Sequence, residues 1–396
     1  MGDKLSNCFN IADLRELARR ILPRGVFEFV DRGTEDDIAI RNNRVAFERI
    51  TFRPRVLVDV SKRSQQIDLF GCPSALPLAV APTGAAGLLC FEGEVAIASA
   101  AAKAGIPFAL STYSINSMEQ VAERAGGRLW FQLYMWPDRA MSHQLVQRAK
   151  AAGYEALIVT VDTAVGPNRE YNRRNGFSLP CRLNRRNAFD LATHPRWLLG
   201  VMGRYLLASG MPQFENLPDA LRQSLTRTPA HKRALPKNDS LTWDDLRQLR
   251  RIWAGPLMVK GILHPDDAAL AAACGADGVI VSNHGGRNLD CSIAPMAALP
   301  EIVDRVGART AVMLDSGVRR GSDVVKALAL GAKTVFVGRA PLWGVAADGE
   351  RGAARAISIL REEIDRVMAF IGCATIAELD RAQLCIDRPA SSEQHE

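Results

Sequence analysis

The chain has few of the features that mark metal-binding, disulfide-rich or membrane-spanning proteins. Its eight cysteines form no C-x-x-C pair, which argues against a zinc or redox motif, and their scatter is typical of a reducing compartment. No run approaches about 20 uncharged apolar residues, so we expect no spanning helix. The first ten residues lack the apolar core of a signal peptide. We therefore expect no metal site and a location in the cytoplasm or on the inner face of the cell membrane.

Aromatic residues are also scarce, at 6%. The lysines and arginines form no dense tract with interleaved aromatics, so we expect no nucleic-acid partner. The net charge of +7 is compatible with an anionic substrate, a phosphate cofactor, an anionic membrane surface or ordinary solubility charge. Hydrophobic residues make up 47% of the 396 residues, which is enough for a large core.

Short apolar runs recur along the chain, each followed by a helical pattern. Their hydrophobicity is continuous, as a strand buried on both faces requires. The pattern predicts a TIM-type (β/α)8 barrel, with an open doubly wound sheet as the alternative. The eight runs are Leu78–Pro82, Pro107–Ser111, Leu129–Tyr134, Ala156–Asp162, Leu257–Ile262, Gly278–His284, Ala311–Gly317 and Thr334–Ala340. Helical patterns between them include Glu94–Ala104, Arg139–Ala152, Pro265–Ala273 and Gly321–Leu330.

The barrel is expected to form one domain, residues 1–378. Residues 1–55 are predicted to form a helical cap, with one helix at Ile11–Leu22 and another beginning at Val26–Val30. The barrel itself is assigned to 56–372, ending in a helix at Glu350–Ile371. Residues 379–396 are assigned to a tail, which is polar from about Asp387.

The fourth strand is followed by an unusually long connection, with an insertion at 170–243. Between Arg173 and Gly210 it carries a single acidic residue, Asp190, and seven arginines. Such a segment, basic and apolar but too short to span a bilayer, is typical of a membrane interface. A soluble lid or a subunit contact is the alternative. The arginines are Arg173, Arg174, Arg182, Arg185, Arg186, Arg196 and Arg204, and the apolar residues are Trp197, Leu198, Leu199, Val201, Met202, Tyr205, Leu206 and Leu207.

The strongest local signal is SNHGGRNLD at 282–290, at the end of the sixth strand. In a β/α barrel, catalytic groups sit at the carboxyl ends of the strands. His284 there can exchange a proton near neutral pH, and Arg287 offers a planar fork for a carboxylate. A histidine alone would more often be structural, but the adjoining glycines and Arg287 favour a site.

The ends of strands seven and eight, at Asp315–Gly317 and Gly338-Arg339, occupy the usual phosphate cradle of a barrel. Arg319 and Arg339 could add positive charge there. In the alternative interpretation, the glycines only form tight turns.

Two further ionisable residues end strands. Lys260 could stabilise negative charge on a reduced flavin ring, form a Schiff base or make a plain ion pair. Asp162 could stabilise an imidazolium or cap its strand.

These residues, in this order, resemble the FMN-dependent 2-hydroxy acid oxidase and dehydrogenase family, which includes glycolate oxidase, lactate dehydrogenase and mandelate dehydrogenase. The similarity runs from Leu22-Pro23 to about Gly372. The matching segments are RPR at 53–55, WFQLY at 130–134, KGI at 260–262, SNHGGRNLD at 282–290 and DSGVRRGSDVVKALALGA at 315–332, of which the last two are the most specific. Bacterial mandelate dehydrogenases are the most similar members, on PTG at 82–84, THPRW at 193–197 and GMPQ at 210–213.

The resemblance implies an FMN enzyme that oxidises a small (S)-2-hydroxy acid to the 2-keto acid. It implies that His284 takes the substrate proton, that Asp162 stabilises the imidazolium and that Lys260 neutralises the reduced flavin. It implies that Arg169 and Arg287 bind the substrate carboxylate and that Tyr134 hydrogen-bonds the substrate. The residues that it implies for FMN are Pro82, Thr83, Gly84, Ser111, Gln132, Thr160, Lys260, Ser282, Asp315, Gly317, Arg319, Gly338 and Arg339.

Three positions depart from patterns common in the family. Phe29 stands in the substrate-binding position of a cap tyrosine, so one charge-assisted hydrogen bond is missing. Gly84 stands where oxidases tend to have alanine and resembles the dehydrogenases that react poorly with oxygen. Tyr113 replaces the tryptophan of glycolate oxidases.

We therefore expect a dehydrogenase for a mandelate-like aromatic acid that passes electrons to membrane quinone. An oxygen-using oxidase and a specialised biosynthetic oxidase with an unusual substrate are the alternatives, and a barrel that binds flavin without redox turnover is a third. By resemblance we expect a homo-oligomer, in particular a tetramer.

Overall fold

The computed structural model describes residues 4–178, 184–218, 221 and 239–386. Eight parallel strands close into a barrel, as the sequence predicts, so the open sheet is excluded. Pairing of Val335 with Leu78 and of Val337 with Val80 joins the last strand to the first. The strands are β1 (Leu78–Thr83), β2 (Phe108–Ser111), β3 (Leu129–Leu133), β4 (Ala156–Thr160), β5 (Leu257–Ile262), β6 (Gly278–Val281), β7 (Ala311–Leu314) and β8 (Val335–Val337).

Each strand is followed by an outer helix, and the last of these differs from its predicted start. It begins at Arg339, directly after β8, rather than at Glu350. Asp348 and Gly349 have non-helical backbone angles, so the sequence predicts only the part after this kink. The outer helices are Gly93–Lys103, Met118–Ala125, Arg139–Ala151, Trp243–Ile252, Pro265–Ala273, Pro295–Val306, Gly321–Ala329 and Arg339–Ile371.

The interior of the barrel is a separate apolar cluster, distinct from the layer between strands and helices. It includes Trp130, Met258, Met313 and Phe336, all at most 1% exposed. Such layers of inward side chains fill a barrel of this size. A hairpin of two short strands, Ile67–Leu69 and Cys72–Ser74, adds Leu69 to this cluster. The hairpin thus covers one end of the barrel. The opposite end, where the strands finish, is available for a site.

Three helices of the N-terminal segment form the cap: Ile11–Ile21, Arg24–Asp31 and Ile38–Glu48. Asn10 starts the first of them with a capping box, and this helix packs against Arg339–Ile371. Strand Ile50–Phe52 pairs with Leu384–Ile386, a pairing that the sequence does not predict. The division into cap, barrel, insertion and tail stays a prediction, and the polar stretch from Asp387 lies outside the described residues.

Only part of the insertion is described, because 179–183, with Arg182, and 219–220 and 222–238 lie outside the described residues. Its α-helices are Glu170–Asn175, Arg185–Ala192, Pro195–Trp197 and Arg204–Ala208. Between the last two, Leu198–Gly203 forms a π-helix. Trp197 and Tyr205 of this segment are buried, whereas Leu199 and Leu207 are 71% and 91% exposed. None of the helices in the described stretches is long and apolar enough to cross a membrane.

The inward face of this segment contacts the loop that follows β1. The Trp197 indole donates a hydrogen bond to the Leu88 carbonyl at 2.7 Å. The Tyr205 ring packs against Phe91, with 4.7 Å between the ring centroids. These contacts fix the segment on the barrel and leave its apolar outer face uncovered by any described residue.

Candidate active site

A cavity of about 940 Å³ opens at the carboxyl ends of the barrel strands, a volume suited to a cofactor together with a small substrate. Most residues that the sequence predicts for the site line this cavity, although they come from the cap, from the loops after several strands and from the insertion. They are Phe29, Pro82, Thr83, Gly84, Ser111, Tyr134, Arg169, Lys260, His284, Arg287, Asp315, Gly317, Arg319, Gly338 and Arg339.

The predicted residues that do not line the cavity are Gln132, Thr160, Asp162 and Ser282. Hydrogen bonds connect three of them, Gln132, Asp162 and Ser282, to side chains that do. Ser111 donates to the Gln132 amide oxygen at 3.2 Å, and Ser282 accepts from Lys260 Nζ at 2.9 Å. Gln132 Nε2 and Thr160 Oγ1 are buried without a hydrogen-bond partner in the described structure. Buried polar groups in native proteins are nearly always paired, so these two atoms mark a place for a polar ligand.

His284 is held between a carboxylate and a phenol. Its Nδ1 lies 2.9 Å from Asp162 Oδ1, and its Nε2 lies 3.4 Å from the Tyr134 hydroxyl. The backbone of His284 is left-handed, with φ +58°, a conformation that costs on the order of 1–3 kcal/mol for a residue other than glycine. Its N–H donates to Ser282 Oγ at 3.0 Å. The fold therefore holds this imidazole in a strained but fixed position.

Asp162 stays ionised in spite of its burial. Burial by itself raises the pKa of this carboxyl, but the charge and hydrogen bond of His284 and the charge of Lys260 outweigh it, so the pKa is lowered. The neighbouring β5 strand makes room for Asp162 at Gly261, where a Cβ atom would lie 2.6 Å from the Asp162 Cβ. A carboxylate in this position can orient the imidazole and stabilise its protonated form.

Lys260 makes an ion pair with Asp315, with 3.0 Å between Nζ and Oδ2. Burial by itself lowers the pKa of Lys260, but the carboxylates of Asp315 and Asp162 outweigh it and the pKa is raised. A Schiff base needs a neutral amine, so this environment favours a permanent cation at the cavity wall. No group of three His, Cys, Asp or Glu side chains in the described part of the chain could hold a metal ion.

Phe29 lies between two arginines. Its ring centroid is 5.6 Å from the Arg169 guanidinium carbon and 5.3 Å from that of Arg287. Arg287 donates to the Arg32 carbonyl at 2.9 Å, whereas Arg169 Nε is buried with no partner. Burial, and then the charge of Arg287, lower the pKa of Arg169 to about 10. Two guanidinium groups on one aromatic ring, one of them with a buried and unpaired Nε, form a ready anion site.

Two more arginines line the cavity in the segments that follow β7 and β8, Arg319 and Arg339. Burial lowers the pKa of Arg319 to about 10 and that of Arg339 to about 9. The Arg339 guanidinium donates to backbone carbonyls, among them Val30 at 2.9 Å and Gly285 at 2.9 Å. The long helix begins at Arg339, so its N-terminal N–H groups add to the positive potential. This part of the cavity wall suits a phosphate group.

The aromatic wall of the cavity includes two residues that the sequence does not predict, Phe214 and Phe177. The Tyr113 ring lies 5.2 Å from that of Tyr134 and 5.7 Å from that of Phe214, and all three line the cavity. Phe214 follows the GMPQ segment at 210–213 directly, which was the available signal. Phe177 also lines the cavity and packs against Phe29 at 5.5 Å.

Comparisons with known proteins agree with this geometry. Residues 18–386 match the FMN-dependent dehydrogenase family. The chain is 43% identical to the (S)-mandelate dehydrogenase of Pseudomonas putida over 373 residues, 94% of this chain and 93% of the relative. It is 42% identical to an L-lactate oxidase of Nostoc sp. over 385 residues, 96% and 99% of the two chains.

A solved structure described as monotopic membrane protein (S)-mandelate dehydrogenase superposes with a TM-score of 0.89 at 42% identity. The match covers 96% of this chain and 100% of that one. The chain belongs to the FMN-dependent dehydrogenase family and is a flavin-dependent oxidoreductase.

Proposed function

We propose that this enzyme oxidises an aromatic (S)-2-hydroxy acid to the 2-keto acid and passes the electrons to membrane quinone. The observation that carries the proposal is the position of His284, paired with Asp162 at 2.9 Å in the cavity that both anchoring arginines line. The family resemblance adds a homo-oligomer, in particular a tetramer, to the proposal.

The residues present fit FMN, the cofactor of the family. Arg319, Arg339 and the start of the long helix would hold the phosphate, together with Gly317 and Gly338. The unpaired Gln132 Nε2 and Thr160 Oγ1 offer hydrogen bonds to the ring or ribityl chain, and Lys260 supplies a fixed cation. Bound FMN supplies the two-electron oxidant for the hydrogen removed from C2 of the acid.

The side chains of the protein would bind the acid and move its proton. Arg169 and Arg287 hold the carboxylate, which fixes the direction in which C2 faces. Tyr134 hydrogen-bonds the substrate, and His284 Nε2 takes the proton. The resulting imidazolium is stabilised by Asp162, as a carboxylate does for its histidine partner.

The aromatic wall supports an aromatic side chain on the acid. Tyr113, Tyr134 and Phe214 offer ring faces and edges to the cavity, and aromatic pairs in such arrangements add about 0.5–1.5 kcal/mol beyond simple burial. Phe29 offers no hydroxyl to the carboxylate of the acid. Burial of the acid's own side chain therefore contributes a larger share of the binding energy. The (S)-mandelate dehydrogenase relative supports the same substrate class.

The described insertion supports a membrane acceptor. Leu199, Leu206 and Leu207 form an exposed apolar face, while arginines such as Arg196 and Arg204 flank it. This combination favours a segment that lies in the membrane interface. A quinone dissolved in the bilayer is then the nearest acceptor, and the description of one relative as monotopic supports the placement.

Oxygen remains the alternative acceptor, because an L-lactate oxidase is almost equally similar. Gly84 favours the dehydrogenase. A Cβ atom on Gly84 would lie 3.2 Å from the Tyr113 Cβ. The loop after β1, beside the expected position of the flavin ring, is therefore packed tightly around a glycine.

We expect the purified enzyme to be yellow and to lose its flavin absorbance anaerobically when (S)-mandelate is added. Reduced enzyme is then mixed with a soluble quinone or with air-saturated buffer in a stopped-flow instrument. Fast reoxidation by quinone and slow reoxidation by oxygen are expected. Reoxidation that is fast with oxygen and slow with quinone would replace the dehydrogenase by the oxidase, and absence of bleaching by any 2-hydroxy acid would remove the proposed function.

The double variant Leu199→Glu and Leu207→Glu should abolish binding to vesicles that contain anionic lipid, because two carboxylates would have to enter the interface. Co-sedimentation with vesicles measures this, and flavin reduction by the acid serves as the folding check. Leu270→Glu, on a barrel helix at a position that is 41% exposed, is the matched control and should bind like the unaltered protein. Equal binding of the double variant would place the membrane contact elsewhere.

A further inference from the structure

Residues 282–290, the His284 loop, carry His284 and Arg287 on a backbone that local forces do not favour. Three consecutive residues, His284, Gly285 and Gly286, have positive φ angles of 58°, 69° and 72°. Glycine adopts such angles readily, whereas histidine does so at a cost. A strained backbone of this kind persists only where its surroundings hold it in place. The neighbours of this loop should therefore include the groups that keep the imidazole in position.

The cap helix Ile38–Glu48 packs directly against the His284 loop. A Cβ atom on Gly286 would lie 2.8 Å from the Ile40 nitrogen, so the two backbones are in contact. Asp290, at the end of the loop, accepts a hydrogen bond at 3.0 Å from the Ala39 N–H in the first turn of the helix. These contacts fix the place where the helix and the loop meet.

Asn43, a buried residue of the same helix with 2% exposure, forms a reciprocal amide pair with Asn283, the residue before His284. Asn43 Nδ2 donates to Asn283 Oδ1 at 2.9 Å, and Asn283 Nδ2 donates to Asn43 Oδ1 at 2.8 Å. Asn283 Oδ1 also accepts from the Gly286 N–H at 3.1 Å, and Asn283 Nδ2 also donates to the Ile293 carbonyl at 3.3 Å. These two backbone partners allow only one orientation of the Asn283 amide, and the direction of both bonds to Asn43 follows from it.

The amide pair fastens the turn that carries the imidazole. Asn283 and Gly286 lie on either side of His284 in the chain, and the Asn283 amide bonds to both Gly286 and Asn43. Asn43 itself does not line the cavity, so it has no direct part in the proposed reaction. A buried polar pair that is bonded in both directions favours a single arrangement of the groups around it.

We propose that Asn43 is a positioning residue, which acts through Asn283 to hold the His284 imidazole where it takes the proton of the acid. The inference rests on the proposed function for the role of His284. Without the Asn43 amide, each polar end of the Asn283 side chain loses one hydrogen bond, and the strained turn is free to relax. A misplacement of about 1 Å in a reacting group can cost on the order of 100-fold in rate.

The test measures anaerobic flavin reduction by (S)-mandelate in the full-length FMN-loaded enzyme. Asn43→Ala should lower the rate at saturating acid by about 10- to 100-fold. KM should change little, because Arg287 keeps its own bond to the Arg32 carbonyl. The variant should fold, since alanine favours the helix and the ion pair of Arg44 with Asp323 keeps the helix docked. Asn43→Leu, which keeps the volume and loses both bonds, is the second variant and should behave alike.

A second measurement separates positioning from a merely structural role. His284→Asn has no imidazole to position, and asparagine tolerates the positive φ angle. Adding Asn43→Ala to this variant should therefore lower its residual rate no further, because two residues that act through one group are not additive. The same fold-loss in both backgrounds would show that Asn43 acts on the reaction in another way and would overturn the proposal.

Asn42→Ala is the matched control, because Asn42 is the neighbouring amide on the same helix and is exposed; it should keep the rate of the unaltered enzyme. Hydrogen exchange of the backbone amides in 282–290, followed by mass spectrometry, should be faster in Asn43→Ala than in Asn42→Ala. Equal rates of flavin reduction in these two variants, or equal exchange, would contradict the inference. Failure of the proposed function is distinguishable, because then no acid bleaches the flavin of the unaltered enzyme, whereas amide exchange still reports whether Asn43 holds the loop.

Discussion

Replacement of His284 by alanine should lower kcat by about 10²–10⁴-fold, the range typical for loss of a general base, while the protein keeps its FMN. The imidazole holds its Nδ1 against Asp162 at 2.9 Å and directs Nε2 towards Tyr134, so no other described side chain is arranged to take the proton in its place. Retention of FMN is expected because the arginines proposed for the phosphate, Arg319 and Arg339, are untouched.

Backbone strain at this position calls for a second variant. His284 has φ +58°, which alanine tolerates poorly and asparagine tolerates well. His284→Asn should therefore keep the loop and the flavin spectrum and lose the same turnover. Turnover is measured as the rate of anaerobic flavin reduction, and His264→Ala, at an exposed helix start, is the control. Rates within a few-fold of the unaltered enzyme in both His284 variants would exclude histidine as the base.

The barrel was predictable because its signals are local. Each strand is a short run of continuous hydrophobicity, and several outer helices have their own start signal. Pro265–Ala273 shows this best: it has proline in the first turn and two aspartates behind it, and its predicted bounds match those observed. The hairpin at Ile67–Leu69 and Cys72–Ser74 has strands of three residues, too short to give a periodic pattern.

Strand ends were a reliable guide to the lining of the cavity, because the ends of parallel strands meet at one face of a barrel. Pairings inside the site were less accessible. Lys260 and Asp315 are 55 positions apart and end different strands, and only closure of the barrel brings them to 3.0 Å. The partners of Arg287 could not be predicted for another reason. They are backbone carbonyls, which every residue has, so the sequence does not indicate them.

The residue that follows the cap helix Arg24–Asp31 holds two of the arginines of the site side by side. The Arg32 carbonyl just beyond its end accepts hydrogen bonds from both Arg287 and Arg339. The carbonyl end of a helix carries partial negative charge and attracts cations. One short stretch of backbone therefore orients the arginine proposed for the carboxylate and the arginine proposed for the phosphate. The same helix carries Phe29, so the cap takes part in building the site.

Substitution of Arg169 by leucine should raise the KM for the acid and the dissociation constant of the 2-keto acid by about 30- to 5,000-fold. Removal of one partner from a buried, charge-assisted contact costs roughly 2–5 kcal/mol. The effect should be large here because Phe29 offers no hydroxyl that could take over the bond. Arg287 cannot compensate fully either, since it already donates to the Arg32 carbonyl. kcat should change much less than KM, because the carboxylate is bound alike before and during the reaction.

The same helical turn provides the control for this substitution. Arg174 is 78% exposed and pairs with Glu170, so Arg174→Leu removes an equal charge outside the cavity and should leave KM within about twofold, as surface ion pairs contribute little. Arg169→Lys should recover only part of the affinity, because an ammonium cannot form the bidentate contact. Titration of the flavin absorbance with benzoylformate measures binding without turnover. If Arg169→Leu binds this keto acid as tightly as Arg174→Leu does, the carboxylate is anchored elsewhere in the cavity. The proposed orientation of the acid, with C2 towards His284, would then be wrong as well.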